Sequence, residues 1–254
     1  MDNKLPIKKI FLSAISLPSL YCRQLIKIGW PLLLVGAISI VTQHLAIGGD
    51  DSYVDEIIGV TLAILMVVTL VMAIVGCHRL FIFGPKEETE YKLFEWSGNE
   101  IKYAGWWILI GFIAGIISIP ILLVLVPFAQ NGFEGLIENQ SFYYVVMGLV
   151  NIPIYYFISR WSLVLPASAT DTHGKSLSWS WDLSSSYAWS LTFLIGILPF
   201  STDLLFSLLP EDQSIIIDLI TSLIWVVIGV IEIGLLSLSY SFIKSRQPED
   251  TVGT

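Results

Sequence analysis

Charged residues are scarce in this sequence, and their scarcity narrows the kind of protein it encodes. Only 13% of the 254 residues are charged, whereas 55% are hydrophobic. A soluble domain carries roughly 25% charged residues, so this chain has too little charge to cover a globule of its size. The composition excludes an ordinary soluble enzyme and indicates a membrane protein that crosses the bilayer several times.

Basic residues and cysteines are also few. The 13 Lys and Arg residues are outnumbered by 21 Asp and Glu, which gives a net charge of -8. This balance predicts no nucleic-acid partner, because such partners are bound by basic patches. The two cysteines, Cys22 and Cys77, are too few for a disulfide framework. We interpret both as apolar side chains on the cytoplasmic side.

Motifs of catalysis and metal binding are missing as well. The sequence contains no phosphate-binding G-x-x-x-x-G-K-S/T loop, no H-E-x-x-H motif and no cysteine pair at metal-binding spacing. The histidines His44, His78 and His173 fall on different spans or connections, and no nucleophile elbow accompanies Asp171 and His173. We therefore predict no catalytic, cofactor or metal site.

Long apolar stretches, by contrast, are abundant. About 20 helical residues cross a hydrocarbon core ~30 Å thick, and lipid requires every backbone amide to be bonded within the span. No stretch has the ten-residue alternation of a membrane β-barrel. The sequence predicts six transmembrane helices, approximately Ile28–Ile47, Ile57–Cys77, Tyr103–Phe128, Phe142–Pro166, Ala188–Leu209 and Ile215–Ile243.

The distribution of charge orients these spans. The N-terminal segment, the second and fourth connections and the segment after the last span hold all 13 basic residues. The first, third and fifth connections hold none, and carry eight acidic residues: Asp50, Asp51, Asp55, Glu56, Glu134, Glu138, Glu211 and Asp212. Because Lys and Arg collect in cytoplasmic loops, both termini are predicted to be cytoplasmic in a bacterial inner membrane.

The predicted fold is therefore all-α: a polytopic protein of six transmembrane helices in three hairpins, with cytoplasmic interfacial helices. Residues 1–27 form the interfacial N-terminal segment, residues 28–243 the transmembrane domain and residues 244–254 a cytoplasmic tail. We expect the polar end of that tail, Pro248 to Thr254, to be disordered.

Two segments are candidates for the interfacial helices. In the first, Ile7, Ile10 and Ala14 recur at helical spacing opposite Lys9 and Ser13, and no signal-peptide cleavage site follows. In the second, Trp179 and Trp181 alternate with serines, which by itself is a strand pattern. An isolated strand would leave its edges unpaired, so a helix is favoured there.

Two of the predicted cytoplasmic connections share a pattern. Arg79 and Arg160 each lie six residues before a proline, and a tryptophan and then a tyrosine precede the next span. One interpretation is a parallel repeat of three hairpins of about 80 residues each. The other is that Arg, Pro and Trp collect at membrane boundaries independently. A parallel repeat differs from the inverted repeats of many transporters.

One segment carries a resemblance to a known family. Arg160 and Pro166 are followed by Ser178-Trp179-Ser180-Trp181-Asp182-Leu183-Ser184 and a new span. This arrangement resembles the membrane domain attached to some glycerophosphoryl diester phosphodiesterases and related stand-alone proteins. The resemblance implies a six-span fold, a membrane location and lipid-facing work. It does not imply phosphodiesterase activity, because the sequence holds no soluble barrel domain.

Ionisable residues within the spans are the candidate functional residues, since each costs ~2.5 to 3.5 kcal/mol to insert. Glu232 lies on the cytoplasmic side of the middle of the sixth span, and Arg160 lies six residues inside the end of the fourth. We hypothesise that they pair, with Arg79 as the repeat-equivalent candidate. Alternatively, Arg160 reaches lipid phosphate and Glu232 is protonated or hydrated.

Three further polar residues lie in or near the spans. Asp203 follows Pro199, which removes a helical hydrogen bond, and the polar residues after the proline can cap a new helix. This sequence predicts that the fifth helix breaks and restarts near its outer end. Asp218, one turn into the sixth span, is placed to face Asp203, and the two acids are either an ion site or are simply hydrated. Asn151, beside Pro153, is expected to bond between helices.

The expected function is non-enzymatic: a structural, assembly or regulatory component of the inner membrane. Its expected partners are the lipid bilayer and another membrane protein or a second copy of the chain. The alternative is a small transporter or lipid-translocating protein built around Glu232, Arg160 and Asn151, which would need a water-accessible cavity. A lipid-acting enzyme ranks third, and would need a polar cluster at the cytoplasmic interface.

Overall fold

The protein is built from helices. The computed structural model describes residues 5–46, 52–85, 98–131, 148–170, 176–207 and 214–247, and these ranges contain no strand. This confirms the predicted all-α class. The helices are α1 (Ile7–Leu20), α2 (Cys22–Ala46), α3 (Ser52–Phe83), α4 (Gly98–Asn131), α5 (Ile152–Trp161), α6 (Val164–Ala169), α7 (Leu177–Leu183), α8 (Ala188–Leu191), α9 (Leu198–Ser207) and α10 (Ile215–Lys244).

Five helical stretches in the described ranges are long and apolar enough to cross a membrane. They coincide within several residues with the first, second, third, fifth and sixth predicted spans, and are compatible with a multi-pass membrane protein. The stretches are Cys22–Gln43, Glu56–Phe83, Gly98–Ile121, Ser185–Phe206 and Ile215–Lys244.

The fourth predicted span, Phe142–Pro166, falls partly outside the described residues. Its described part begins at residue 148, turns at Asn151 and continues as α5, which ends at Trp161. A separate short helix, α6, then begins at Val164. The described portion is too short to cross a bilayer by itself.

The fifth span contains an irregularity of a different kind from the predicted one. The predicted break after Pro199 is wrong, because α9 runs from Leu198 to Ser207. Instead, a π-helical segment, Thr192–Ile197, precedes the proline. Proline cannot donate a backbone hydrogen bond, and the wider turns before it accommodate that loss within a continuous helix. Ser201 bonds back to the carbonyl of Ile197 and caps no new helix.

The buried core lies at one end of the bundle. We call this end the basic end, because Lys27, Arg79, Lys102, Arg160 and Lys244 belong to the helical segments that meet there. At its centre the six residues of α6 are all buried, where α6 packs against α3, α4 and α10. Side chains from α1, α3, α4, α7, α8 and α10, and from the turn between α5 and α6, join this core. They include Ile10, Val75, Tyr103, Leu163, Leu183, Leu191 and Tyr240.

Away from the basic end, the long helices expose apolar side chains. Fully half or more of the side-chain surface is exposed at Ile64 on α3, Phe112 on α4 and Ile220 on α10. α3 has 32 residues and α10 has 30, more than the ~20 needed to cross the hydrocarbon core. Their additional length is packed by α1 and α6 at the basic end.

α1 is a helix, as predicted, and it is attached to α10. Ile10, Ala14 and Leu17 are its buried residues, and they pack against α10 where Gly234 leaves space. A Cβ atom on Gly234 would lie 2.5 Å from Leu17 Cδ1 and 3.6 Å from Ala14 Cβ. The tryptophan-rich segment likewise forms a helix, α7, which confirms the prediction over the strand alternative.

Candidate functional site at the basic end

His78 is the most deeply buried histidine in the described ranges and connects three helices. Its side chain has 0% exposure. Nδ1 lies 2.7 Å from Ser237 Oγ on α10, and Nε2 lies 3.4 Å from the hydroxyl of Tyr103 on α4. Ser237 donates its own proton to the carbonyl of Ile233. It therefore accepts from Nδ1–H, which leaves Nε2 to accept from Tyr103.

Arg79, the neighbour of His78, makes the ion pair that links α3 to the start of α4. Its Nη1 lies 3.0 Å from Glu100 Oε1, and the Glu100 side chain is only 6% exposed. Nε of Arg79 donates to the carbonyl of Ala169 at the end of α6, at 2.9 Å. One guanidinium thus joins α3, α4 and α6.

Among the described residues, Arg160 is held by hydroxyl and carbonyl oxygens and not by a carboxylate. Only 4% of the residue is exposed. Its Nε donates to Ser184 Oγ at 2.9 Å, Nη1 donates to the Tyr156 hydroxyl at 3.1 Å, and Nη2 donates to the carbonyl of Trp181. The guanidinium carbon also lies 3.4 Å from the centroid of the Trp181 ring, a cation–π geometry.

The helix that receives Arg160 is positioned by its own serines. Ser176 caps α7 by accepting from the backbone N–H of Trp179. Ser180 donates to the carbonyl of Arg160 at 2.6 Å, where the end of α5 has no further helical donor to offer. α7 is therefore bonded to α5 in both directions, by the arginine side chain and by the arginine carbonyl.

The hypothetical pair between Glu232 and Arg160 is not formed. Among the described residues Arg160 bonds to Ser184, Tyr156 and Trp181, and Arg79 bonds to Glu100. Arg160 does not extend to lipid phosphate either, because it is buried. The physical reason is local: α7 brings carbonyl and hydroxyl acceptors to Arg160 that are nearer along the chain than Glu232.

Glu232 lies instead on the same side of the bundle as Asp203. It is half-buried on α10, and Asp203 on α9 is within electrostatic reach of both Glu232 and Tyr155 of α5. Gly196 of the π-helical segment lets α5 come close to that segment, because a Cβ at residue 196 would lie 2.6 Å from Tyr155 Cβ. The structure thus places Asp203 nearer to Glu232 and Tyr155 than to the contacts of the two arginines described above.

Asn151 and Asp218 take positions at helix starts. Asn151 precedes α5, and its carbonyl accepts from the backbone N–H of Tyr155 at 3.0 Å. Asp218 lies in the first turn of α10, where a carboxylate is favoured by the helix dipole. Neither residue joins the contacts of Arg79 and Arg160 described above.

Sequence reasoning missed the partners of the two arginines. Glu100 was the available signal for Arg79, since it is an acidic residue two positions before Lys102 at the predicted start of a span. Nothing in the spacing identified Ser184 or the Trp181 carbonyl as acceptors, because a backbone carbonyl has no sequence signature. The sequence did not distinguish Ser237 from the other serines of the sixth span.

The chemistry of these contacts is structural. His78 and Ser237 are both 0% exposed, so the serine hydroxyl has no access to a substrate. Among the described residues no three His, Cys, Asp or Glu side chains are grouped as a metal site. The hydroxyls of Ser239 and Ser241 have no hydrogen-bond partner among the residues that the structure describes. The side chains of His78, Arg79, Arg160 and Ser180 join one helix to another.

Comparison with models of protein families, with curated proteins and with solved structures gives no match.

Proposed function

We propose that this chain is a non-enzymatic integral component of the bacterial inner membrane, with a structural, assembly or regulatory role. The observation that carries the proposal is the use of Arg79, Arg160 and His78. Each of these polar side chains lies near the membrane boundary, where its insertion costs free energy, and each bonds to another helical segment. A transporter would be expected to turn such groups toward a water-accessible cavity.

The proposal includes six spans in three hairpins, with both termini in the cytoplasm. Glu100 near the start of α4 and Arg160 near the end of α5 both lie at the basic end, so the chain must leave that end and return between them. This geometry supports a sixth crossing that includes α5. The asymmetry of Lys and Arg between the connections supports a cytoplasmic basic end.

The two arginines also support the parallel-repeat interpretation. Arg160 bonds to the carbonyl of Trp181, which lies 21 residues later in the sequence. Arg79 pairs with Glu100, which also lies 21 residues later. In each case the arginine at the end of one hairpin holds the segment that leads into the next hairpin. Membrane-boundary preferences alone account for where arginine occurs, but they do not specify this common partner distance.

The proposed partner-binding role places the partner on the apolar surface away from the basic end. Ile64, Phe112 and Ile220 lie on three different long helices and are exposed by 60%, 65% and 53%. Such a surface contacts either lipid alone or lipid and another membrane protein. The proposed role requires that part of it be covered by protein, either another membrane protein or a second copy of this chain.

Photocrosslinking in native membranes tests this role. A benzophenone amino acid is placed at Ile64, Phe112 or Ile220, and at buried Val75 as the matched control on α3. We expect a discrete protein adduct from at least one exposed position and none from Val75. The adduct's mass distinguishes a second copy from another protein. Lipid adducts alone at all three exposed positions would contradict a partner-binding role.

The second candidate function, transport or lipid translocation, is favoured by one observation. Asp203 and Glu232 are two acidic residues within spans, in electrostatic reach of each other. Paired carboxylates inside a membrane are a recurrent element of proton and cation pathways. Proton or sodium flux in proteoliposomes that is lost in both E232Q and D203N would establish this function. Equal flux in the wild type and in protein-free vesicles would exclude it for these ions.

A further inference from the structure

The exposed side of α1 combines lysines with large apolar side chains. Ile10, Ala14 and Leu17 are buried against α10, and Ile7 and Phe11 pack partly against the core. The opposite side of the helix, which carries Lys8, Lys9, Leu12 and Ile15, is exposed. Leu12 is 55% exposed and Ile15 is 44% exposed. Water alone is a poor environment for such side chains, and a lipid interface is a good one.

Helical geometry places these basic and apolar side chains in one strip along α1, with Lys8 between Ile15 and Leu12. At about 100° per residue, Ile15, Lys8 and Leu12 fall within about 60° of one another, and Lys9 follows beside Leu12. Lys8 and Lys9 are both exposed. Lysine at the edge of an apolar strip can bury its methylene chain against hydrocarbon and place its ammonium group among phosphates.

The start of α2 continues the same combination. Ile26 is 57% exposed, and Arg23 and Lys27 on either side of it are exposed as well. Ile28 packs into the space left by Gly76 on α3, at the level of His78. The basic strip of α1 and α2 therefore lies at the basic end, beside the buried polar side chains.

The charge of this segment is opposite to that of the whole chain. Residues 5–46 hold four basic residues and no Asp or Glu, whereas the complete sequence has a net charge of -8. The exposed surface of α1 is thus complementary to an anionic surface. Because Leu12 and Ile15 lie beside the lysines, the complementary anionic surface must also offer hydrocarbon to these two side chains.

We propose that the exposed side of α1, with the start of α2, is a binding surface for anionic phospholipids of the cytoplasmic leaflet. Lys8, Lys9, Arg23 and Lys27 contact the phosphate headgroups. Leu12 and Ile15 insert among the upper acyl-chain carbons. The α1–α10 contact keeps this surface at the membrane boundary.

Quenching by brominated lipids tests the surface in the full-length protein. An environment-sensitive fluorophore is attached to I15C in a C22S background, since Cys77 is buried. The protein is reconstituted in vesicles of fixed phosphatidylglycerol and phosphatidylcholine content, in which only one of the two lipids is brominated. We expect stronger quenching by brominated phosphatidylglycerol, with a preference that declines as salt increases.

The double variant K8Q/K9Q identifies the charges responsible. Each lysine near an anionic surface changes lipid affinity roughly five-fold, so we expect the preference to fall roughly thirty-fold in the double variant. Quenching by brominated phosphatidylcholine should persist in the variant, because Leu12 remains and the fluorophore at position 15 still faces the acyl chains. The control variant K86Q/K92Q removes the same net charge elsewhere and should retain the preference.

Three outcomes would overturn the proposal. Equal quenching by the two lipids in the wild-type background would show that the surface does not select anionic headgroups. A preference unchanged in K8Q/K9Q would assign it to other residues. Absence of quenching by either lipid would place Ile15 in water or against protein.

Discussion

Arg160 illustrates how neutral oxygen acceptors and an aromatic ring can hold a buried charged side chain. Three of its nitrogens donate to Ser184, Tyr156 and the Trp181 carbonyl, while the Trp181 ring covers one face of the guanidinium. Hydrogen bonds to a charged group contribute about 1.5 to 3 kcal/mol each. The planar, forked geometry of arginine is essential to such an arrangement, and lysine cannot reproduce it.

The variant R160K should therefore be destabilised although it keeps the charge. We expect it to lose at least ~2 kcal/mol of unfolding free energy, since at least one charged hydrogen bond and the ring contact are lost. Thermal unfolding in a mild detergent measures the effect. The matched control is R246K, because Arg246 is exposed and should change stability by no more than about 0.5 kcal/mol. An R160K protein as stable as R246K would refute this role of Arg160.

A second residue-scale prediction concerns Ser237. In S237A, Nδ1–H of His78 would be left buried without its acceptor, at a cost of about 1 to 3 kcal/mol. The control is S118A, because Ser118 bonds only to the carbonyl of Gly115 among the contacts described and lies on a lipid-facing part of α4. Unfolding in detergent by heat or denaturant compares the two. Equal stabilities would mean that the His78–Ser237 bond contributes nothing.

At the scale of elements, the contact between α1 and α10 depends on the absence of a side chain. Gly234 lets Leu17 and Ala14 approach the α10 backbone. Gly229, on the same helix, has no atom within 4 Å of the position of its missing Cβ. The two glycines therefore differ in packing although they share a helix and a membrane environment.

We expect the variants G234L and G229L to differ in stability. Leucine at residue 234 would displace α1 and should destabilise the protein by about 1 to 3 kcal/mol, as overpacked sites do. Leucine at residue 229 should be neutral or stabilising, because glycine is the weaker helix former by roughly 0.8 kcal/mol. Protease sensitivity of the α1–α2 junction in detergent provides a direct readout. Similar protection in both variants would show that α1 does not need Gly234.

At the scale of the whole molecule, the sequence was sufficient for the helical class and for the position of five membrane-length helices. These follow from apolar length and from backbone hydrogen bonding, both of which are local properties. Helix α3 extends six residues further than predicted at the basic end, to Phe83 instead of Cys77, because packing against α6 sustains it beyond the hydrocarbon. Such packing is a long-range property that apolar length does not encode.

The candidate site was less predictable, for reasons that differ between residues. Arg79 and Arg160 were identified because a charge in an apolar run needs a partner. Glu232 was assigned the wrong partner, since the positions of α5 and α10 along the membrane normal do not specify which side chains meet. The π-helical segment before Pro199 escaped prediction because it depends on how the whole helix absorbs a missing donor.

The most direct test of the account is the sidedness of its two ends. Single cysteines are introduced at Ser16 on α1, at Ser245 after α10 and at Glu56 near the start of α3, all in a C22S background. A membrane-impermeant maleimide is then applied to intact cells and to opened cells. The account predicts that intact cells label only E56C, and that opened cells label all three. Labelling of S16C or S245C in intact cells would contradict an even number of crossings with a cytoplasmic basic end.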